Sequence, residues 1–257
     1  MSKFLIALAL LCSSTLFSTA QSIGKAMVVP SSVTKDALSL AYYKQDHLRL
    51  ADDFSAFDGK SQPLTKRQFL KALTTGNYLP LRLTSQNSTY CYRLYKLNTT
   101  VSKDVKGSIA QFARTYLRQY EMEGKQFPDF HFVDLNGKTY DRNNTKGKIL
   151  VLKSWFIACY ACNEEMPKLN RLTDKYKDRK DILFVSITFD SEVALKRFVK
   201  KRIFKYAIVP VKESFIEQTL KSSEYPTHWI INRQGKIVKM VNNPDEMIAA
   251  LSKEASL

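Results

Sequence analysis

The chain has 257 residues, 44% hydrophobic and 25% charged, with 40 basic against 24 acidic side chains and a formal charge of +16. This is a globular composition with enough apolar material for one large or two smaller domains, and it excludes a disordered or fibrous chain. The basic excess suits anionic surfaces or acidic partners, but it is spread along the sequence, and nucleic acid is not an expected partner.

The first element is a processing signal. Lys3 precedes an apolar run over 4–11, and Ser18-Thr19-Ala20 supplies small residues at the expected cleavage positions. Residues 1–20 are too short for a membrane-spanning helix and fit a secretory signal peptide, which implies an exported protein, of the bacterial periplasm by this reading. Cys12 offers a lipid anchor as the less favoured reading, because bulky Leu11 precedes it. No later run approaches the roughly 20 apolar residues of a spanning helix, so the mature chain is expected to be soluble.

Residues 21–120 are expected to form a small α+β domain of unassigned role. A helix is expected over 35–51, with Leu38, Tyr42 and Leu48 at helical spacing. A second helix over 65–73 starts on Thr65 as N-cap and stops near Gly76. Strands over 78–83 and 89–97 form a hairpin through Ser85-Gln86-Asn87-Ser88, and a helix over 108–121 follows. This half carries no catalytic motif.

Over 121–257 the rhythm becomes strands alternating with helices. Strands over 130–133 and 138–140 flank the turn Asn136-Gly137. A near-continuous apolar strand over 149–156, broken by Lys153 and Ser154, leads into a helix over 159–176. A buried strand over 182–189, an amphipathic helix over 192–201, a strand over 207–211 and a short helix over 215–220 come next. A hairpin over 227–231 and 236–241 and a closing helix over 244–253 complete the pattern. Long apolar strands alternating with helices give an α/β class with a sheet covered on both faces.

Apart from Cys12, the cysteines are Cys91, Cys159 and Cys162. An odd set with one close pair does not read as a framework of structural disulfides. Cys159-Tyr160-Ala161-Cys162 places two thiols one helical turn apart where a strand gives way to a helix. Such a pair can bind metal, staple the fold or exchange electrons. Zinc needs about four ligands, and neither a second Cys pair nor a His pair exists, since His47, His131 and His228 are scattered. No metal and no cofactor are therefore expected. At a helix start the unpaired N–H groups and the dipole favour a thiolate on Cys159, drawing its pKa from about 8.5 toward about 3.5–7.5. Cys162, one turn on, is placed to close a disulfide with Cys159. The geometry assigns attack to Cys159 and resolution of the mixed disulfide to Cys162. Cys91, on an aromatic strand elsewhere, is expected to be a buried apolar residue.

Trp155 four residues before Cys159, Glu165 and Pro167 after Cys162, and Tyr225-Pro226-Thr227 before an apolar strand resemble the thioredoxin superfamily. The closest likeness is to exported thiol–disulfide oxidoreductases of the TlpA/ResA type, whose lead-in strands are matched by Phe127-Pro128-Asp129-Phe130, Asn136-Gly137-Lys138 and Gly147-Lys148-Ile149. Arg233-Gln234-Gly235-Lys236-Ile237 matches the closing hairpin. The resemblance covers about 124–257 and implies a thioredoxin-like fold, a central mixed sheet flanked by helices. It implies a cis bond at Pro226, and a groove lined by Trp155, Tyr160, Tyr225, Pro226 and Thr227. It also implies that Glu165 lies partly buried beneath the sulfurs and handles their protons. Pro167 is expected to kink the active-site helix. Tyr160-Ala161 departs from relatives that have proline second in that dipeptide, and Tyr225 is bulky for its place. His228, just after that turn, has a place near the site as one reading and plain strand surface as the favoured one.

The expected function is a protein-disulfide reductase or exchange enzyme acting on disulfide-containing protein substrates, with a membrane thiol-reductant carrier as electron donor. A thiol peroxidase of the same superfamily needs Thr or Ser three residues before its reactive cysteine, where this chain has Phe156. The remaining alternative is an assembly or binding protein in which the first domain docks a partner and the dithiol is secondary.

Overall fold

A computed structural model describes residues 24–85 and 89–257. The signal segment, Cys12 and the Gln86-Asn87-Ser88 turn lie outside the described residues.

The first unit opens with a short helix, α1 (Pro30–Val33), and then α2 (Ala37–His47), which starts where Asp36 accepts a hydrogen bond from the Ser39 amide at 2.7 Å. The helix is shorter than expected and buries the opposite face. Leu38 and Tyr42 are exposed, whereas Leu40 and Tyr43 are buried. The reason is tertiary: the Tyr43 hydroxyl donates to Pro80 O and accepts from Arg82 N, both at 2.8 Å, and this turns the helix onto its sheet. Strands β1 (Phe54–Phe57) and β2 (Pro63–Leu64) follow, neither expected from the sequence. Helix α3 (Lys66–Leu73) begins in a full capping box between Thr65 and Gln68. It ends at Gly76, whose φ is +70°; a Cβ there would lie 2.7 Å from the Lys106 carbonyl oxygen. Strands β3 (Tyr78–Arg82) and β4 (Tyr90–Lys96) pair antiparallel, as the hairpin pattern requires, and β1 adds to β4 in parallel. The sheet order is β2-β1-β4-β3. Helix α4 (Lys103–Met122) starts five residues earlier than expected because Ser102 caps it. Leu70, Leu73, Leu79, Tyr92, Val105 and Ile109 form the core between α3, α4 and this sheet.

The second unit begins at Gly124, whose amide donates to Ile237 O at 2.7 Å. Strands β5 (His131–Val133) and β6 (Thr139–Asp141) form a hairpin whose turn is organised by Asp134, accepting from the amides of Asn136 and Lys138. After α5 (Arg142–Thr145) comes β7 (Ile149–Ser154), buried at every position. Helices α6 (Tyr160–Glu164) and α7 (Met166–Lys175) replace the single helix expected there. Then follow β8 (Ile182–Thr188), α8 (Glu192–Val199), β9 (Ala207–Pro210), a wide helical turn over Phe215–Thr219, β10 (Thr227–Ile231), β11 (Ile237–Val241) and α9 (Pro244–Ala255). The five strands order as β11-β10-β7-β8-β9, with β7, β8 and β9 parallel and β10 antiparallel to both β7 and β11. This is the mixed sheet of a thioredoxin-like fold. Ile149 and Val151 pack with α7 and α9 on one face, while Leu150 and Leu152 pack with Phe127, Phe132 and Ile216 on the other. Among the described residues no helix is long and apolar enough to cross a membrane.

Candidate active site

Strand β7 delivers the chain to the top of the sheet, and the turn beyond it is fastened before α6 begins. The Ile157 amide donates to Asp190 Oδ2 at 2.7 Å, and Asn163 Nδ2 donates to Ile157 O at 2.9 Å. Cys159 then occupies the N-cap of α6, and its sulfur accepts from the Cys162 amide at 3.2 Å. The two cysteines are joined in a disulfide with Cα atoms 5.3 Å apart. Cys159 retains 7% exposure and Cys162 none, so the first cysteine is the less buried of the two.

The helix breaks at Glu165, which ends α6 and begins α7. Pro167 sits in the first turn of α7, where a missing N–H costs nothing, and the two helices meet at Glu165 two residues before it. The break turns Glu165 inward beneath the dithiol. Its Oε1 accepts from Lys153 Nζ at 2.5 Å and lies 3.1 Å from His228 Nε2. The Lys153 ammonium also donates to the Cys162 carbonyl at 2.9 Å. Lys153 and His228 are opposite one another in the β7–β10 register, and both are fully buried. With Lys153 and His228 both directed at the carboxylate, the histidine proton belongs on Nε2.

The charge states follow from this geometry. Burial raises the Glu165 carboxyl, but hydrogen bonds and charge from His228 and Lys153 outweigh it and leave the group below the ordinary carboxylate range. Burial lowers Lys153, opposed by Glu165, and burial likewise lowers His228, opposed by the same carboxylate. His228, read as a surface residue, is a correction: strand pairing with β7 buries it. The sequence signal that could have found the cluster is Lys153, a charge in the middle of an apolar central strand.

The residues expected to line a groove separate into two sets. Tyr160 stands fully out beside Cys159, and half-buried Tyr225 packs edge-on against Phe156 with ring centres 5.3 Å apart. Trp155 is fully buried against Phe198 and Phe204, so it supports the dithiol from below and presents no docking surface. Pro226, reached through a cis bond, is buried, and Thr227 is buried with its hydroxyl donating to Glu224 O at 2.6 Å. Cys91 is buried on β4, and burial raises its thiol. Among the described residues no three His, Cys, Asp or Glu side chains converge as metal ligands. A cleft of about 860 Å³ lies away from the dithiol, between α2, α4 and α9.

A family model described as the AhpC/TSA family matches residues 124–240. The chain is 33% identical over 118 residues to a thiol-disulfide oxidoreductase ResA of Bacillus cereus, covering 46% of this chain and 68% of that protein. It is 31% identical over 127 residues to the ResA of Bacillus thuringiensis subsp. konkukian, covering 49% and 73% respectively. Among solved structures, a thiol:disulfide interchange protein from Bacteroides sp. aligns with a TM-score of 0.47 at 22% identity, over 52% of this chain and 91% of that one.

Proposed function

Since the chain belongs to the ResA-type thiol–disulfide oxidoreductases, we propose that it is an exported enzyme that reduces or exchanges disulfides of protein substrates through Cys159 and Cys162. The observation that carries this reading is the disulfide at the start of α6, with Cys159 the less buried of the two cysteines. In the reduced enzyme the Cys159 thiolate attacks one sulfur of a substrate disulfide. The substrate S–S bond breaks, an enzyme–substrate S–S bond forms, and the departing thiolate takes a proton from water. Cys162, deprotonated in turn, attacks Cys159; the mixed disulfide breaks and the second substrate thiol leaves. Two electrons have passed to the substrate and the enzyme is left as the disulfide seen here. Turnover then needs an external dithiol, for which a membrane thiol-reductant carrier is the proposed donor.

The surroundings support these steps. The Cys162 amide directed at the Cys159 sulfur stabilises negative charge on it. Glu165 anchors Lys153, which in turn holds the Cys162 carbonyl and so the backbone that carries the resolving sulfur. Tyr160 and Tyr225 give the approaching substrate aromatic surface on either side of Cys159. Phe156, packed on Phe189 and Tyr225, offers no hydroxyl to a peroxide. The test is insulin reduction with dithiothreitol as donor. Cys159→Ser is expected to abolish it, and Cys162→Ser to accumulate mixed disulfides visible on non-reducing gels. Trapping by the Cys159 variant alone would reverse the roles, and full activity in both variants would refute the reading.

A further inference from the structure

The segment Glu224-Tyr225-Pro226-Thr227 enters β10 beside the dithiol, and Tyr225 packs into the same cluster as Cys159, Cys162 and Phe156. It is held from a direction outside the matched family region, which begins at residue 124. Helix α4 of the first unit presents Thr115, Arg118 and Gln119 at i, i+3 and i+4, hence on one face. The Thr115 hydroxyl donates to Glu224 Oε1, and Arg118 donates to the same oxygen at 3.2 Å. Gln119, only 4% exposed, donates from Nε2 to Asn242 Oδ1. The Asn242 amide group then donates to Pro226 O at 2.7 Å and to Thr227 Oγ1 at 2.8 Å, and Thr227 returns a bond to Glu224 O. The loop is thus closed: α4 to Glu224, through Thr227 to Asn242, and back to α4.

We infer that α4 sets the position of this segment against the dithiol, which makes Thr115, Arg118 and Gln119 positioning residues for exchange with protein substrates. The inference rests on the dithiol reading given above. The links are unequal. Arg118 and Glu224 are each more than a third exposed, and a pair in that setting contributes little. Gln119–Asn242 is the buried link. Without it the Asn242 carbonyl oxygen loses its donor, and turning the amide to recover one would aim that oxygen at Pro226 O. A substrate protein must lie along the segment while its disulfide meets Cys159. A small disulfide needs only the sulfur. Displacing the segment therefore weakens the first reaction and spares the second, whereas loosening of the fold at large would slow both.

The experiment compares wild type, Gln119→Met, Thr115→Val and the conservative Thr115→Ser in the full chain, using insulin and oxidised glutathione as the two disulfides. Thermal melts accompany each variant, so that Thr115→Val serves if Gln119→Met does not fold. For Gln119→Met and Thr115→Val the expected result is a fall of about three- to tenfold in kcat/KM for insulin, carried by KM, the loss of about one hydrogen bond. The glutathione rate and the Cys159–Cys162 potential stay at wild-type values, and Thr115→Ser retains wild-type behaviour. Equal losses with both disulfides, or no loss with insulin, overturn the inference. A wild-type chain inert toward both, matching its Cys159→Ser control, overturns the dithiol reading itself and the inference with it.

Discussion

Replacing Lys153 by Met removes one partner of a fully buried ion pair and leaves the other in place. The Lys153 ammonium has no exposure and touches both the Glu165 carboxylate and the Cys162 carbonyl. Deleting one member of such a pair costs about 3–5 kcal/mol, because the remaining charge stays buried without compensation. For a chain of this size that is a fall of about 6–20 °C in Tm, at about 2–4 °C per kcal/mol. The double variant Lys153→Met/Glu165→Gln removes both charges, and replacing a buried pair by neutral groups is often close to neutral, so it should recover most of the loss. The pH dependence weakens as well. In the wild type the Glu165 carboxyl is depressed, so its contribution is present above the ordinary carboxylate pKa and is lost as pH falls through the folded value. Without Lys153 the groups facing Glu165 are His228 from β10 and Tyr206; the His228 hydrogen bond still lowers the carboxyl, so its depression shrinks. The single variant should therefore be closer to wild type at about pH 3, where both proteins have lost this contribution, than at about pH 8. Urea and thermal melts of the four proteins in the double-mutant cycle, at both pH values, measure this. A coupling energy below about 0.5 kcal/mol, or a wild-type pH slope in Lys153→Met, would refute the reasoning.

Glu246 lies on α9 with its carboxyl pushed up to about 7 by burial and then by Asp52, so it favours the folded state below its unfolded pKa and loses that as pH rises through about 7. Glu246→Gln should raise stability at about pH 8 by about 1–3 kcal/mol and leave it unchanged at about pH 4, as read by thermal melts at the two pH values. Gly76→Ala should destabilise by about 1–3 kcal/mol in urea titration, because φ is +70° and the new Cβ meets the Lys106 carbonyl. A wild-type midpoint would mean that the α3–α4 turn relaxes freely. Cys91→Ala should leave insulin reduction unchanged and cost about 1 kcal/mol, since a small buried thiol packs as an apolar group; loss of activity would make that thiol part of the chemistry.

The sequence by itself determined whatever is written in local order. Thr65 and Gln68 three residues apart specify the start of α3 through a capping box, and Asn136-Gly137 between apolar runs specifies the β5–β6 turn. The near-continuous apolar runs of β7 and β8 announce strands covered on both faces, and the spacing of Cys159 and Cys162 at a strand-to-helix junction announces the dithiol. These signals work because caps, turns and periodicity involve residues a few positions apart, whose geometry the backbone fixes without reference to the rest of the chain. The tertiary structure alone decided which of several compatible faces is buried. Leu38 and Tyr42 have the spacing of an apolar face, yet Tyr43 bonding to β3 turns them outward. Strand β1 is four residues long and exists because β4 offers it a parallel edge, a pairing no local pattern encodes. His228 and Lys153 are 75 positions apart in sequence and face each other only through the β7–β10 register. That register buries a lysine and a histidine around Glu165, and their hydrogen bonds hold its carboxyl below the ordinary range against the effect of burial. Long-range pairing decides burial, and burial with its partners decides protonation.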